Sequence, residues 1–144
     1  MPELVIVDAD ALIAAAFEMD RNHRRVKPII TKLTQKKIQR LYPLTAIGEA
    51  VKVLHRKKQS CRAAQSVIEL AKNGFKVGII EYIDKDIFSE AIARFETFDL
   101  KANPGDTLFD AIVATIAIRR GAAVFSFDDV YKRLGLQLAE DLFP

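Results

Sequence analysis

Leu4-Val5-Ile6-Val7-Asp8-Ala9-Asp10-Ala11-Leu12-Ile13 opens the chain with four apolar residues that run straight into two carboxylates. A strand with one wet face alternates apolar and polar side chains. This one does not, so it reads as buried on both faces, as in a parallel sheet. Its acids then stand at the strand's C-terminal end, where open α/β sheets bind their ligands.

Outward from that strand, helical and strand patterns alternate. Ala9 to Met19 reads as a helix, and Arg24 to Lys36 as a second with Pro28 in or near its first turn. Ile38 to Tyr42 is a short strand. Thr45 opens a helix with Ile47, Ala50, Val51 and Leu54 on one face. Ser60 can cap a helix that turns Ala64, Val67, Ile68 and Ala71 inward and stops at Asn73-Gly74. Val77 to Ile83 is a strand, and Asp84 caps a helix with Ile87, Ala91, Ile92 and Phe95 as its core stripe. Asn103-Pro104-Gly105 is a turn. Asp106 is the expected N-cap of a helix from Leu108 to Arg119 that Gly121 ends. A strand from Ala122 to Ser126, a short helix from Asp129 to Leu134 and an edge strand at Leu136 to Leu138 complete the order. That order predicts an α/β fold: a three-layer α/β/α sandwich around a mainly parallel sheet of four to five strands, one domain over residues 1–144.

Half of the 144 residues are hydrophobic, enough for a substantial core. No apolar run is long enough to span a membrane, and Met-Pro-Glu-Leu lacks the basic start of a signal peptide, so a cytoplasmic protein is expected. The single cysteine, Cys61, excludes an internal disulfide and a cysteine metal cage. Net charge is only +3, but Arg21 to Lys58 holds twelve Lys/Arg against one acid, Glu49. The remaining chain holds ten Lys/Arg against eighteen acids. Such asymmetry points to a polyanionic partner, nucleic acid first. The plainer alternative is a solvated helical face.

Several acids resist a surface reading. Asp8 ends the buried strand, with Asp10 two places on. Glu49 sits beside the apolar face of its helix. Asp110 lies in Leu108 to Ile118, a helix apolar almost all round, where a carboxylate is costly unless paired or metal-bound. Asp128 follows the apolar run Ala123 to Phe127. Each alone has a plain explanation: a cap for Asp8 or Asp128, the helix dipole for Asp110, half-exposure for Glu49. Together they converge on one edge of the sheet, where their mutual repulsion would raise their pKa values and a divalent cation would relieve it. Oxygen ligands without Cys or a His pair favour Mg²⁺ or Mn²⁺ over Zn²⁺. One such ion can polarise a phosphodiester and activate water, and two can stabilise attacking and leaving oxygens. With the basic segment holding the phosphate backbone, the pattern reads as a metal-dependent nuclease.

Val5-Ile6-Val7-Asp8-Ala9-Asp10-Ala11-Leu12-Ile13, Thr45-Ala46-Ile47-Gly48-Glu49-Ala50, Asp110 to Ala117, and Ser126-Phe127-Asp128-Asp129-Val130-Tyr131 with Gly135-Leu136 fall in that order along the chain. In this the sequence resembles the PIN-domain ribonucleases, in particular the VapC-type toxins of toxin–antitoxin pairs. The resemblance implies a Mg²⁺- or Mn²⁺-dependent endoribonuclease with Asp8, Glu49, Asp110 and Asp128 as its metal-binding catalytic set. It implies Ser126 as a hydroxyl positioning water or the fourth acid, a homodimer, and a small antitoxin partner. Ala9 stands where Thr is common, Asp10 where Asn or Ser is common, and Ser126 where Thr is usual. Asp10 could add a ligand or form a local turn. The fourth acid is Asp128 or the adjacent Asp129; Asp128 is preferred because Tyr131 then falls where the family usually has an aromatic. Arg21, Arg24, Arg25, Lys52, Arg56 and Lys57 are the candidate RNA-backbone contacts. His23 and His55 read as solvated rather than as ligands, and Glu69, Glu81, Glu90 and Glu96 as solvated.

Two other classes fit parts of the pattern. "DAD" after a strand looks like the start of a haloacid-dehalogenase-type phosphatase, with Asp8 as nucleophile and Asp10 as general acid. Alternatively the acids form a non-catalytic socket for a basic partner peptide. A toxin and a protein of RNA processing are not told apart by the sequence.

Overall fold

The computed structural model describes residues 1–56, 61–72 and 79–144. In chain order it places β1 (Leu4–Val7), α1 (Ala9–Ala16), α2 (His23–Gln35), β2 (Gln39–Pro43), α3 (Leu44–Arg56) and α4 (Cys61–Lys72). Then come β3 (Ile79–Glu81), α5 (Lys85–Phe95), α6 (Leu108–Arg120), β4 (Ala123–Phe125), α7 (Val130–Arg133) and a final 3₁₀ turn, Ala139–Leu142. The cap predicted at Ser60, the stop at Asn73-Gly74 and the first residues of the strand predicted from Val77 lie outside the described residues.

The four strands form a sheet in the order β3-β2-β1-β4. Every pairing is parallel, with Ile6 opposite both Leu41 and Val124. The fifth predicted strand amounts to one bridge, Val124 to Leu138. Alternate side chains serve opposite faces. Val5, Val7, Tyr42 and Phe125 join the core built with α1 to α4, whereas Ile6, Leu41 and Val124 join the core built with α5 and α6. That is the predicted three-layer sandwich, with Val5, Ile6 and Val7 of β1 buried in it.

β2 lies on one side of β1 and β4 on the other. α1, which follows β1, packs in the first layer; α7, which follows β4, packs in the second. The chain thus diverges to opposite faces beyond the ends of two adjacent strands. Such a topological switch point opens a crevice without any special side chain.

α6 fits its apolar sequence: seven consecutive residues, Ala111 to Ala117, are buried. The one polar side chain among them, Thr115, donates to Ala111 O (2.7 Å) and accepts from Arg94 (2.5 Å). Gly121 ends the helix at φ 60, a left-handed conformation that a side chain resists.

Several local expectations need correction. α1 stops at Ala16, because Phe17 turns extended. Pro28 lies inside α2 rather than in its first turn, and the carbonyl it cannot serve belongs to exposed Arg24. Thr107, not Asp106, caps α6, while Asp106 takes Arg133 through both carboxylate oxygens (2.8 and 2.6 Å). Ile68 and Ile92 are 39% and 37% exposed, so the stripes of α4 and α5 are narrower than predicted. Glu81 and Glu90 are not simply solvated; they pair with Arg120 (2.6 Å) and Arg119 (2.5 Å).

Candidate active site

Asp8 is the first residue past β1. Its backbone N–H still completes the sheet, donating to Phe125 O (3.0 Å), so the side chain is fixed at the strand end. It is 7% exposed and caps α1, its Oδ1 accepting from Ala9 N (2.7 Å). Its Oδ2 accepts a hydrogen bond from the phenol of Tyr131, which is fully buried on α7.

Asp110 enters from the opposite layer. Thr107 and Asp110 form a reciprocal capping box at the start of α6: Thr107 N donates to Asp110 Oδ2 (2.7 Å), and Asp110 N to Thr107 Oγ1 (3.4 Å). This pins one oxygen and leaves Oδ1 facing Tyr131 Oη at 3.5 Å. Tyr131 therefore stands against both carboxylates.

Asp10 acts as a strut. Its Oδ1 accepts from Ala11 N (2.8 Å), and its Oδ2 from Ser126 Oγ (2.9 Å) and Phe127 N (2.8 Å). The segment after β4 is thereby tied to α1. Ser126 Oγ in turn accepts from Asp128 N (3.1 Å), and Asp128 Oδ1 accepts from Val130 N (3.0 Å). A chain of hydrogen bonds thus runs from Asp10 through Ser126 to Asp128. Asp128 and Asp129 are both exposed, and Asp129 makes no side-chain cap to α7.

Glu49 is half-buried on α3, close enough that the charges of Asp110 and Asp10 both act on it. One helical turn earlier, Thr45 Oγ1 is buried with no hydrogen-bond partner among the described residues.

The electrostatics agree with the geometry. Burial pushes the Asp8 carboxyl well above its usual pKa, and the neighbouring Asp10 charge adds to it. Asp10, Asp110 and Glu49 are also raised, first by burial. The Asp128 charge adds to the rise at Asp10 and Asp110, and the Asp110 charge to that at Glu49. Tyr131 is pushed well above the normal phenol range by burial, with the Asp8 charge adding to it.

Asp8, Asp10, Glu49, Asp110 and Asp128 are therefore brought to one electrostatically coupled region. Among the described residues no three or more His, Cys, Asp and Glu side chains are grouped, as they stand, so that they could hold a metal ion. The donor chemistry nevertheless suits a hard divalent cation: oxygen ligands, repelling one another, with an unpartnered hydroxyl one turn from Glu49.

A cavity of about 600 Å³ adjoins these acids, walled by Asp10, Asp128, Ile13, Val53, Phe127 and Arg21 among others. Arg21 is thus placed beside the acids. Arg24, Lys52 and Arg56 are exposed on α2 and α3, and Lys57 lies outside the described residues. Arg25 is engaged elsewhere: it pairs with Glu140, bonds Asn22 Oδ1 (2.8 Å) and stacks 4.5 Å from the Phe127 ring centroid. His23 is not simply solvated, since its Nδ1–H donates to Ala14 O (2.6 Å); His55 is exposed.

Sequence reasoning missed Thr107 and used Tyr131 only as a register marker. Thr107-Leu108-Phe109-Asp110 carries the capping-box spacing, which was a usable signal. Tyr131 had none, because its partner Asp8 is 123 residues away.

Comparison with known proteins places this geometry. The model of the PIN domain family matches residues 5–136. Among solved structures, Mycobacterium tuberculosis VapC20, described as a sarcin-ricin loop cleaving toxin, superposes with a TM-score of 0.74 at 19% identity. That match covers 92% of this chain and 95% of the other. VapBC-1 from nontypeable Haemophilus influenzae gives 0.64 at 14% identity, covering 94% and 96%. VapBC2 from Rickettsia felis, solved on a DNA fragment from its promoter, gives 0.63 at 13% identity with the same coverage. No curated protein matches the chain. The fold is shared with VapC proteins, and the chain belongs to the PIN-domain family.

Proposed function

We propose that the protein is a Mg²⁺- or Mn²⁺-dependent endoribonuclease, the toxin component of a toxin–antitoxin pair. The observation that carries this reading is that Asp8, Asp110, Glu49 and Asp128 lie near the switch point within reach of one another's charges, with no ion pair to Lys or Arg among the described residues. Asp8 and Asp110 would hold the ion with Glu49, and Asp128 would complete the pocket. A bound divalent cation supplies Lewis acidity that stabilises charge developing on a scissile phosphodiester and makes water a better nucleophile.

The protein's own residues do the rest. Asp8 and Asp110 each spend one oxygen on a backbone N–H, so their orientation is set before any ligand arrives. Glu49 has no hydrogen bond among the described residues, which leaves its carboxylate free to turn toward the ion, while exposed Asp128 would orient the attacking water. Arg21 lines the adjoining cavity and would receive the backbone phosphate next to the scissile one. Arg24, Lys52 and Arg56 would extend that track.

The phosphatase reading fares worse. Asp10, the general acid of that reading, accepts from Ala11 N, Ser126 Oγ and Phe127 N, bonds that favour its carboxylate form and a structural role. The neighbours whose names read VapBC support an antitoxin partner for this chain. A homodimer and a cytoplasmic location belong to the same proposal; no helix among the described residues is long and apolar enough to cross a membrane.

The test is cleavage of a structured RNA with Mg²⁺ or Mn²⁺, with and without chelator, by the wild type and Asp8→Asn. Cleavage that needs the cation and falls to background in the variant is expected. An intact protein that cleaves no RNA, yet binds a basic peptide without metal, would favour the socket reading instead.

A further inference from the structure

Tyr131 has a hydroxyl where the fold needs only a ring. The side chain is fully buried in the core between the sheet and α6. Its backbone carbonyl is held by Leu134 N (3.1 Å) and Leu136 N (2.9 Å), so the aromatic ring is anchored at its base. Phenylalanine would fill the same volume without bringing a polar group into the interior, which costs free energy unless it is partnered. Here the partner is a carboxylate: the phenol donates to Asp8 Oδ2, and Asp110 Oδ1 stands 3.5 Å from the same oxygen.

The two carboxylates come from different layers, one from the end of β1 and one from the first turn of α6. Each has one oxygen fixed by a main-chain N–H, Ala9 N on Asp8 Oδ1 and Thr107 N on Asp110 Oδ2. The other oxygen of each faces the phenol. β1 and α6 already pack in one core, and the hydroxyl links the two acids at their side chains: it donates to Asp8 and stands beside Asp110.

We propose that Tyr131 is a positioning residue that fixes the orientation of Asp8 beside Asp110 before a divalent cation arrives, and so sets the affinity of the pocket for that cation. The inference rests on the metal-dependent reading above and adds a determinant to it. Residues that hydrogen-bond a metal-binding side chain typically change metal affinity 10- to 100-fold when removed.

Tyr131→Phe removes the hydroxyl alone. The experiment titrates wild type and variant with Mg²⁺, reading affinity by calorimetry and the tyrosine environment by near-ultraviolet difference absorbance. The optical signal is interpretable because the chain has no tryptophan and three tyrosines. Tyr82 is largely exposed and Tyr42 is buried in the other core. The expected result is a tyrosine difference spectrum that saturates with the cation in the wild type and is lost in Tyr131→Phe. Mg²⁺ affinity should be roughly 10- to 100-fold weaker in the variant with its circular dichroism unchanged. Tyr42→Phe should keep the signal.

Wild-type Mg²⁺ affinity in a folded Tyr131→Phe would overturn the inference and leave the nuclease reading standing. If the variant does not fold, the wild type decides alone: saturation with Mg²⁺ and no tyrosine signal would overturn it. No cation binding by the wild type at all would sink both this inference and the metal-dependent function.

Discussion

Asp110→Asn is predicted to stabilise the metal-free protein and to destabilise it relative to wild type once a divalent cation is present. Two like charges about 6 Å apart repel by about 3 kcal/mol at an effective dielectric constant of ~20. The shared contact of Asp8 and Asp110 with Tyr131 Oη puts this pair in that range. Asp110 is only partly buried, so solvent reduces the figure to roughly 2 kcal/mol. Against this, asparagine gives up the favourable interaction of a charge with the N-terminus of α6, about 0.5–1 kcal/mol. Its amide oxygen can still accept from Thr107 N, so the capping box survives. The net gain is about 1 kcal/mol near pH 7, a rise in Tm of roughly 3–4 °C for a domain of this size.

The pH dependence fixes the sign. The Asp110 carboxyl is raised, so the folded state holds its proton more tightly than the unfolded chain. Ionising it costs stability above its folded pKa and costs nothing below about pH 4, where both states are protonated. The advantage of Asp110→Asn should therefore fade as pH falls toward 4. A cation at a hundred times its Kd would stabilise the wild type by about 2.7 kcal/mol and the variant far less, which reverses the order. Thermal unfolding with chelator and with Mg²⁺, at neutral and acid pH, reads all of this. A folded Asp110→Asn that is less stable than wild type in chelator at neutral pH would refute the reasoning.

Leu54→Ala, at a fully buried site on α3, should cost about 2–5 kcal/mol in urea unfolding without altering cation affinity. Gly121→Ala should cost about 1 kcal/mol, because the helix-ending residue sits at φ 60; a neutral result would mean that α6 ends differently in solution. Arg21→Ala should lower RNA affinity and reduce the slope of log K against log salt by about 1, with cation binding unchanged. An unaltered slope would remove Arg21 from the phosphate track.

The layered fold was legible because two segments admit one reading each. Leu4–Val7 is apolar on both faces, and Leu108 to Ile118 is apolar almost all round, so both had to be largely interior. Positions at layer edges were less legible. Periodicity gave α4 and α5 a stripe but not how far their neighbours reach across it, hence exposed Ile68 and Ile92. Asp106 and Thr107 are both good caps, and the choice between them was made by Arg133 taking Asp106 from outside the local sequence. The sequence singled out the acids that the structure brings near one another, but not the hydrogen bonds each one makes. Whether Asp10 would act as ligand or turn depended on Ser126 and Phe127, more than a hundred residues away. The same distance in sequence hid the hydrogen bond from Tyr131 to Asp8 behind an aromatic position that packing alone would explain.

The most direct test of the account is the location of Mn²⁺ in crystals of the wild-type protein, read from anomalous diffraction. The account predicts a peak within coordination distance of Asp8 and Asp110, with Glu49 turned toward it. A fully occupied ion bound elsewhere, or no ion between Asp8 and Asp110 at saturating Mn²⁺, would contradict it.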